Sequence, residues 1–250
     1  MSEPVVGLIP AAGRGVRLGL PYPKELYPII RENRYRPIAQ FIVDSLVVSG
    51  VRDLVFVINE SKHQLIGYFG DGRRFGCNAA YVVQERPDGP DTSRSPGLAH
   101  ALDAAYHLIH DRIVFFGMPD TILEPADALG RAWCAVGRQA DVVLVLFPTS
   151  RPEKFGMVRT DAGDRVIAVD DKPSQTDLTH MWGAIAWRPV FTEFLHTSVS
   201  ERGDLDFATI LNGAIAAGMR VHAYRVHDGS YADLGTYDEI QQLDATLRQP

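Results

Sequence analysis

The sequence predicts an α/β protein built on a mostly parallel sheet, and three observations carry that expectation. Short apolar runs rich in β-branched residues recur along the chain: "VVGLIP" at 5–10, "LVFVI" at 54–58, "IVFFG" at 113–117 and "VVLVLF" at 142–147. Each is followed by a stretch of helical spacing or by a loop leading to one, the pattern of parallel strands covered by helices on both faces. Segments rich in glycine and charge fall just after strands, where open α/β sheets carry their ligand sites.

The elements follow in order. "VVGLIP" leads into a loop that gathers Gly13, Gly15 and Gly19 with Arg14, Arg17 and Lys24. Residues 38–49 carry apolar side chains at 38, 41, 42, 46 and 48, a helical period, with Gly50 suited to the stop. After "LVFVI" come a helix opened by Ser61 and closed near Gly70, and a strand "AYVV" at 80–83. The segment 86–96, "RPDGPDTSRSP", reads as a surface loop. Helices are predicted at about 97–109 and near 125–137, on either side of the strand at 113–117. In the second half, 156–169 reads as a hairpin turning at Asp161 and Gly163, and "WGAIAW" (182–187) as a strand. Residues 205–217 fit a helix ending at Gly218, "RVHAYRV" (220–226) a strand, and about 236–247 a closing helix. Residues 1–250 are read as one domain, about 1–125 forming a nucleotide-sized half and about 126–250 a half decorated with hairpins.

Composition narrows the class. The chain has 250 residues, 46% hydrophobic and 22% charged, with a net charge of −6 and no basic run. That balance suits a globular protein and argues against nucleic-acid binding, which needs an extended cationic footprint. Cys77 and Cys134 lie far apart, make no metal-ligand spacing and read as buried reduced thiols. His100, His107 and His110 share a predicted helix, but ligands at i and i+3 without a third partner read as a polar face. The longest apolar run is far too short for a bilayer, so no membrane association is expected. "MSEPVVGLIP" carries an acid where a signal peptide needs basic residues, so the expected compartment is the cytoplasm. Self-association into a homo-oligomer is left open.

The opening loop carries the chemistry. Gly13 and Gly15 let backbone N–H groups turn toward oxyanions, while Arg17 adds a planar fork and Lys24 a point charge. Neither G-x-G-x-x-G nor G-x-x-x-x-G-K-[ST] is present, so the loop is neither a dinucleotide turn nor a P-loop. Composition alone leaves a phosphate cradle and a solvated basic turn both open.

"AAGRGVRLGLPYPKEL" resembles the signature loop of the nucleotidyltransferases, and of the sugar-1-phosphate nucleotidyltransferases in particular. The resemblance implies that Ala11, Ala12, Gly13, Arg14 and Gly15 wrap an NTP triphosphate while Arg17 and Lys24 neutralise it. It extends along nearly the whole chain. Gln84 ends a strand where such enzymes read the base, and the loop after it, with Gly89, leads to "GLAHA", which opens at Gly97. "GMPDTIL" resembles the strand end that supplies a metal-binding acid, here Asp120, and "DLGT" the segment that supplies the second, Asp233. "KFGMV" gives Gly156, "DDKP" gives Asp171 and Lys172, and "WGAIAW" gives Gly183 as the matching sugar-phosphate positions. The fold implied is three-layered and Rossmann-like, with a mixed, mostly parallel sheet and added hairpins.

Departures bear on the substrates. Val16 precedes Arg17, and only six residues separate Arg17 from Lys24, a spacing similar to cytidylyltransferases of methylerythritol phosphate. Asp171 is one methylene shorter than the usual glutamate. The resemblance implies a Mg²⁺-dependent enzyme that joins an NMP from an NTP, dTTP or UTP before CTP, to a sugar 1-phosphate, releasing pyrophosphate. A cytidylyltransferase for a polyol or other alcohol phosphate is the alternative, and a nucleotide-sensing relative without catalysis is the alternative outside enzymes. A glycosyltransferase would carry Asp-x-Asp, which "PDT" does not supply. Catalytic roles are implied for Arg17, Lys24, Asp120 and Lys172, with Asp120 and Asp233 as magnesium ligands.

Overall fold

The computed structural model describes residues 3–13, 19–31, 34–84, 97–203, 205–236 and 239–240. The first half contains β1 (Val5–Pro10), the hairpin β2 (Pro28–Arg31) and β3 (Arg34–Pro37), α1 (Ile38–Val48), β4 (Asp53–Ile58) and α2 (His63–Phe69). It continues through β5 (Asn78–Val83), α3 (Leu98–Asp103), α4 (Tyr106–Ile109), β6 (Ile113–Gly117) and β7 (Thr121–Glu124). The second half holds α5 (Ala128–Val136), β8 (Val142–Pro148), β9 (Gly156–Thr160), β10 (Val166–Asp171) and β11 (His180–Trp187). The described elements end with α6 (Pro189–Arg202), α7 (Phe207–Ala216), β12 (Val221–Arg225) and β13 (Ser230–Asp233).

Nine of these strands form one mixed sheet. β12, β8, β6, β1, β4 and β5 share a direction, and β11 runs against them between β8 and β6. β9 and β10 extend from the start of β11, where Met181 pairs with Met157. The continuous apolar runs are explained by burial on both faces. Leu144 and Leu146 of β8 point into the layer made with α3, α4, α6 and α7. Val143 and Val145 point into the layer made with α1, α2 and α5. A third, smaller core of Ile29, Ile38, Phe41, Ile122 and Leu234 lies under the β2–β3 hairpin. The three-layer α/β fold expected from the sequence is the one observed.

Local departures have physical reasons. The helix predicted at about 97–109 is two pieces, because the wholly buried Ala105 adopts φ −90°, ψ 1° and bonds back only three residues, to the Leu102 carbonyl. α2 is preceded by a 3-10 turn, Glu60–Lys62, and that turn is capped by Asn59 rather than opened by Ser61: the Asn59 side chain accepts from the Ser61 N–H at 2.9 Å. β2–β3, β7, α6 and β13 went unread in the sequence. Three of these strands are only four residues long, and the fourth, β7, is no longer, too short for a clear period. Of the closing helix predicted at about 236–247, only Thr236 and residues 239–240 are described. The Glu239 N–H donates to Thr236 Oγ1 at 3.4 Å, one half of a capping box, and that hydroxyl donates to Glu239 Oε2 at 2.9 Å. Among the described residues, no helix is long and apolar enough to cross a membrane.

Candidate active site

Because the strands run parallel, their C-terminal ends share one edge, and the predicted residues collect there. The Ala11 N–H donates to the Val57 carbonyl at 2.7 Å, and the Gln84 N–H to the Ile58 carbonyl at 2.7 Å, so both continue the ladder just past β1 and β5. The Asn59 side-chain amide, past β4, donates to the Ala12 carbonyl at 2.6 Å. Asp120 follows β6 and is 7% exposed. Lys24 lies on a single 3-10 turn, Lys24–Leu26, and its ammonium pairs with the Asp120 carboxylate. Its neighbour Glu25 turns inward and pairs with Lys62, both side chains being 2% exposed.

The short ladder of β7 with β13 brings the second acid to the first. Thr121 pairs with Asp233, and the Leu234 N–H donates to the Asp120 carbonyl at 2.9 Å. Burial, then the charges of Asp120 and Glu239, raise the Asp233 pKa to about 6, against the opposing pull of Lys24. Burial works against the Lys24 ammonium, but Asp120, Glu25 and Asp233 outweigh it and its pKa is raised. Burial lowers the Lys62 pKa despite the opposing Glu25 charge. Tyr231, two residues before Asp233, has its phenol raised well above the ordinary value by burial and by both aspartates.

A chain of contacts continues from Asp233 to the residues that the sequence reading matched to sugar-phosphate segments. A side chain at Gly183 would place its Cβ 2.6 Å from the Tyr231 ring and 2.7 Å from Phe147, so only glycine fits. The register of β11 against β8 shifts at this residue. The preceding Trp182 lies against Gly156, where a Cβ would stand 2.3 Å from the indole Nε1. Gly156 pairs with Asp171 across β9–β10, and the Lys172 N–H donates to the Phe155 carbonyl at 3.0 Å. Lys172 adopts a left-handed φ of 45°; its side chain is 61% exposed and its ammonium lies 3.9 Å from Asp171. A bulky residue seldom takes this conformation without a local reason.

The structure therefore connects Ala12, Lys24, Asp120, Asp233, Gly183, Gly156, Asp171 and Lys172 through direct contacts or shared ladders. Gly13 follows the Ala12 anchor, and Gly97 is the N-cap of α3. Arg14, Gly15, Arg17 and Gly89 lie outside the described residues. Sequence reasoning missed Glu25, Asn59, Lys62, Trp182, Tyr231 and Glu239. Glu239 had a readable signal in "TYDE", the [ST]-x-x-E cap; Lys62 had none. Glu239 receives Lys154 Nζ at 2.7 Å and lies 3.7 Å from an Arg151 nitrogen, which puts two cations beside the acidic pair.

The donor set suits magnesium. Among the described residues no three His, Cys, Asp or Glu side chains form a metal cage. Mg²⁺ commonly takes one or two carboxylates and completes its shell with water and substrate phosphate. Asp120 and Asp233 are such a pair, joined through the Leu234 N–H and the Thr121–Asp233 ladder; burial first and the Asp120 charge second raise the Asp233 pKa.

The chain resembles known proteins over most of its length. Over 220 residues the chain is 26% identical to a glucose-1-phosphate thymidylyltransferase of Streptomyces antibioticus, covering 85% of this chain and 58% of that protein. Over 249 residues it is 24% identical to the Streptomyces griseus enzyme of the same name, covering 95% and 64%. The chain thus spans about three fifths of the length of these curated relatives. A solved Bacillus anthracis structure, assigned there as a glucose-1-phosphate thymidylyltransferase in complex with a sucrose, superposes with a TM-score of 0.81 at 21% identity, over 98% of this chain and 96% of that one. A family model described as nucleotidyl transferase matches residues 6–249, and the chain belongs to that family.

Proposed function

We propose that the protein is a Mg²⁺-dependent nucleotidyltransferase that joins an NMP to a sugar 1-phosphate, releasing pyrophosphate and leaving an NDP-sugar. dTTP or UTP is the favoured donor, in line with the thymidylyltransferase relatives. The observation that carries the reading is the convergence of Lys24, Asp120 and Asp233 at the C-terminal edge of the sheet. Residues 1–250 act as one nucleotidyltransferase unit, with nucleotide contacts from the first half and acceptor contacts mainly from the second.

The phosphate monoester attacks the α-phosphorus in line and pyrophosphate leaves, so no protein nucleophile is required. Two anionic reactants repel, and the chain answers with cations. Lys24 stabilises charge on the nucleotide phosphates, joined by Arg17 and Arg14 and by the backbone from Ala11 to Gly15. Gln84, Gly89 and Gly97 border the base and ribose. Lys172 orients the attacking phosphate, while Asp171, Gly156 and Gly183 form the acceptor floor. Asp120 and Asp233 would hold Mg²⁺, which when bound supplies charge neutralisation and a template for the phosphates.

The test is pyrophosphate release with Mg²⁺ across the five common NTPs, each paired with sugar 1-phosphates and alcohol phosphates. Release that needs one NTP and one sugar 1-phosphate supports the reading. Release only with CTP and an alcohol phosphate replaces it with the cytidylyltransferase alternative, which the short Arg17–Lys24 spacing favours. NTP binding without turnover on any acceptor favours a nucleotide sensor.

A further inference from the structure

Glu25 and Lys62 form a fully buried ion pair directly behind Lys24. The second oxygen of Glu25, Oε2, is buried without a hydrogen-bond partner among the described residues. An ion pair in that condition is a poor stabiliser. Desolvation offsets its attraction, and packed apolar residues of similar volume often do as well or better. Its presence calls for a reason other than stability.

The turn that carries Lys62 supplies one. Asn59 uses Oδ1 to accept from the Ser61 N–H at 2.9 Å and the Ser61 hydroxyl at 2.6 Å, which fixes its amide. The Asn59 Nδ2 is then aimed at the Ala12 carbonyl, 2.6 Å away, and the Lys62 N–H closes the turn on the Asn59 carbonyl at 3.0 Å. One four-residue turn at the end of β4 therefore grips the chain at Ala12 and again at Glu25. Those two points flank Gly13 and adjoin Lys24.

We propose that Asn59, Lys62 and Glu25 are positioning residues for the nucleotide side of the site: the 59–62 turn sets the spacing between the Ala12 backbone and the Lys24 ammonium. The proposal rests on the nucleotidyltransferase reading above. None of the three touches substrate; they act through Ala12 and Lys24. The geometry matters because Lys24 sits on one short turn with no side-chain cap, so its own element does not hold it in place.

The test replaces the pair by an apolar one, Glu25→Leu with Lys62→Met, and separately makes Asn59→Ala. Thermal midpoint, the Kd of dTTP and of UTP with Mg²⁺ by calorimetry, and the acceptor KM are measured for each. The double variant is expected to keep or raise its midpoint while the NTP Kd rises about tenfold and the acceptor KM stays put. Asn59→Ala is expected to weaken NTP about threefold with the same split. An unchanged NTP Kd in both variants overturns the proposal, as does a double variant that loses its fold, since the pair would then be a structural support. Wild-type protein that binds NTP without turnover sinks the enzymatic reading alone, because the Kd comparison stands without it. Wild-type protein that binds neither nucleotide overturns both.

Discussion

Asp233 is held beside Asp120 by backbone bonding: its ladder partner is Thr121, and the next N–H, of Leu234, donates to the Asp120 carbonyl at 2.9 Å. Two acids more than a hundred residues apart in sequence are thereby fixed by the main chain, whatever their side chains do. Replacing either by alanine leaves that ladder intact and removes a carboxylate alone. Asp120→Ala and Asp233→Ala should each lower kcat by roughly a hundredfold or more, since the charge stabilisation at such a site is several kcal/mol. Steady-state kinetics at saturating Mg²⁺, with thermal midpoints as the control for folding, checks this.

The burial of Asp233, with the Asp120 charge beside it, gives a pH signature in the absence of divalent cations. With its pKa near 6, Asp233 in the folded protein keeps a proton that the unfolded chain has already released at lower pH. Stability should therefore fall as pH rises from about 4 through about 6, by up to roughly 3 kcal/mol from this group. Urea titrations with chelator present measure the slope. Asp233→Asn should remove most of it.

The two lysines should separate by substrate. Lys24→Ala is expected to raise the KM of the NTP, because its ammonium pairs with Asp120 and is proposed to neutralise the nucleotide phosphates. Lys172 is exposed and stands on a left-handed backbone. Lys172→Gly should relieve that strain, worth about 1 kcal/mol, and keep stability while raising the acceptor KM about tenfold. Bisubstrate kinetics on both variants reads this, and an exchange of the two effects would reverse the assignment of the two sides.

Gly156→Ala tests the proposed floor of the acceptor side. The new methyl would lie 2.3 Å from Trp182 Nε1, so the ring must move. Overpacking of this kind costs about 1–3 kcal/mol. Trp182→Phe in the same background should restore part of the lost midpoint, because the smaller ring leaves room.

The placement of several candidate-site residues was legible in the sequence because they sit at the ends of regular features. The apolar runs that became β1, β4, β6 and β8 are buried on both faces and bounded by loops, so Ala11, Ala12 and Asp120 could be put at strand ends from pattern alone. Asp233 was singled out by its motif, yet its strand was not read, because β13 is four residues long and pairs with the equally short β7. Trp182 and Tyr231 were unreadable for a different reason. Each matters through the glycine it covers, a relation between strands distant in sequence. Nothing in the sequence around Lys62 marks it as buried, and only the fold turns it inward onto Glu25.

The most direct measurement follows the phosphorus. dTTP or UTP labelled at the α-position, or at the γ-position, is incubated with Mg²⁺ and the sugar 1-phosphate that supports pyrophosphate release, and the products are separated. The expected result is α-label in the nucleotide-sugar and γ-label in pyrophosphate, both lost in Asp120→Ala. Transfer of the γ-label to the sugar phosphate, with a nucleoside diphosphate left behind, would contradict nucleotidyl transfer at this site.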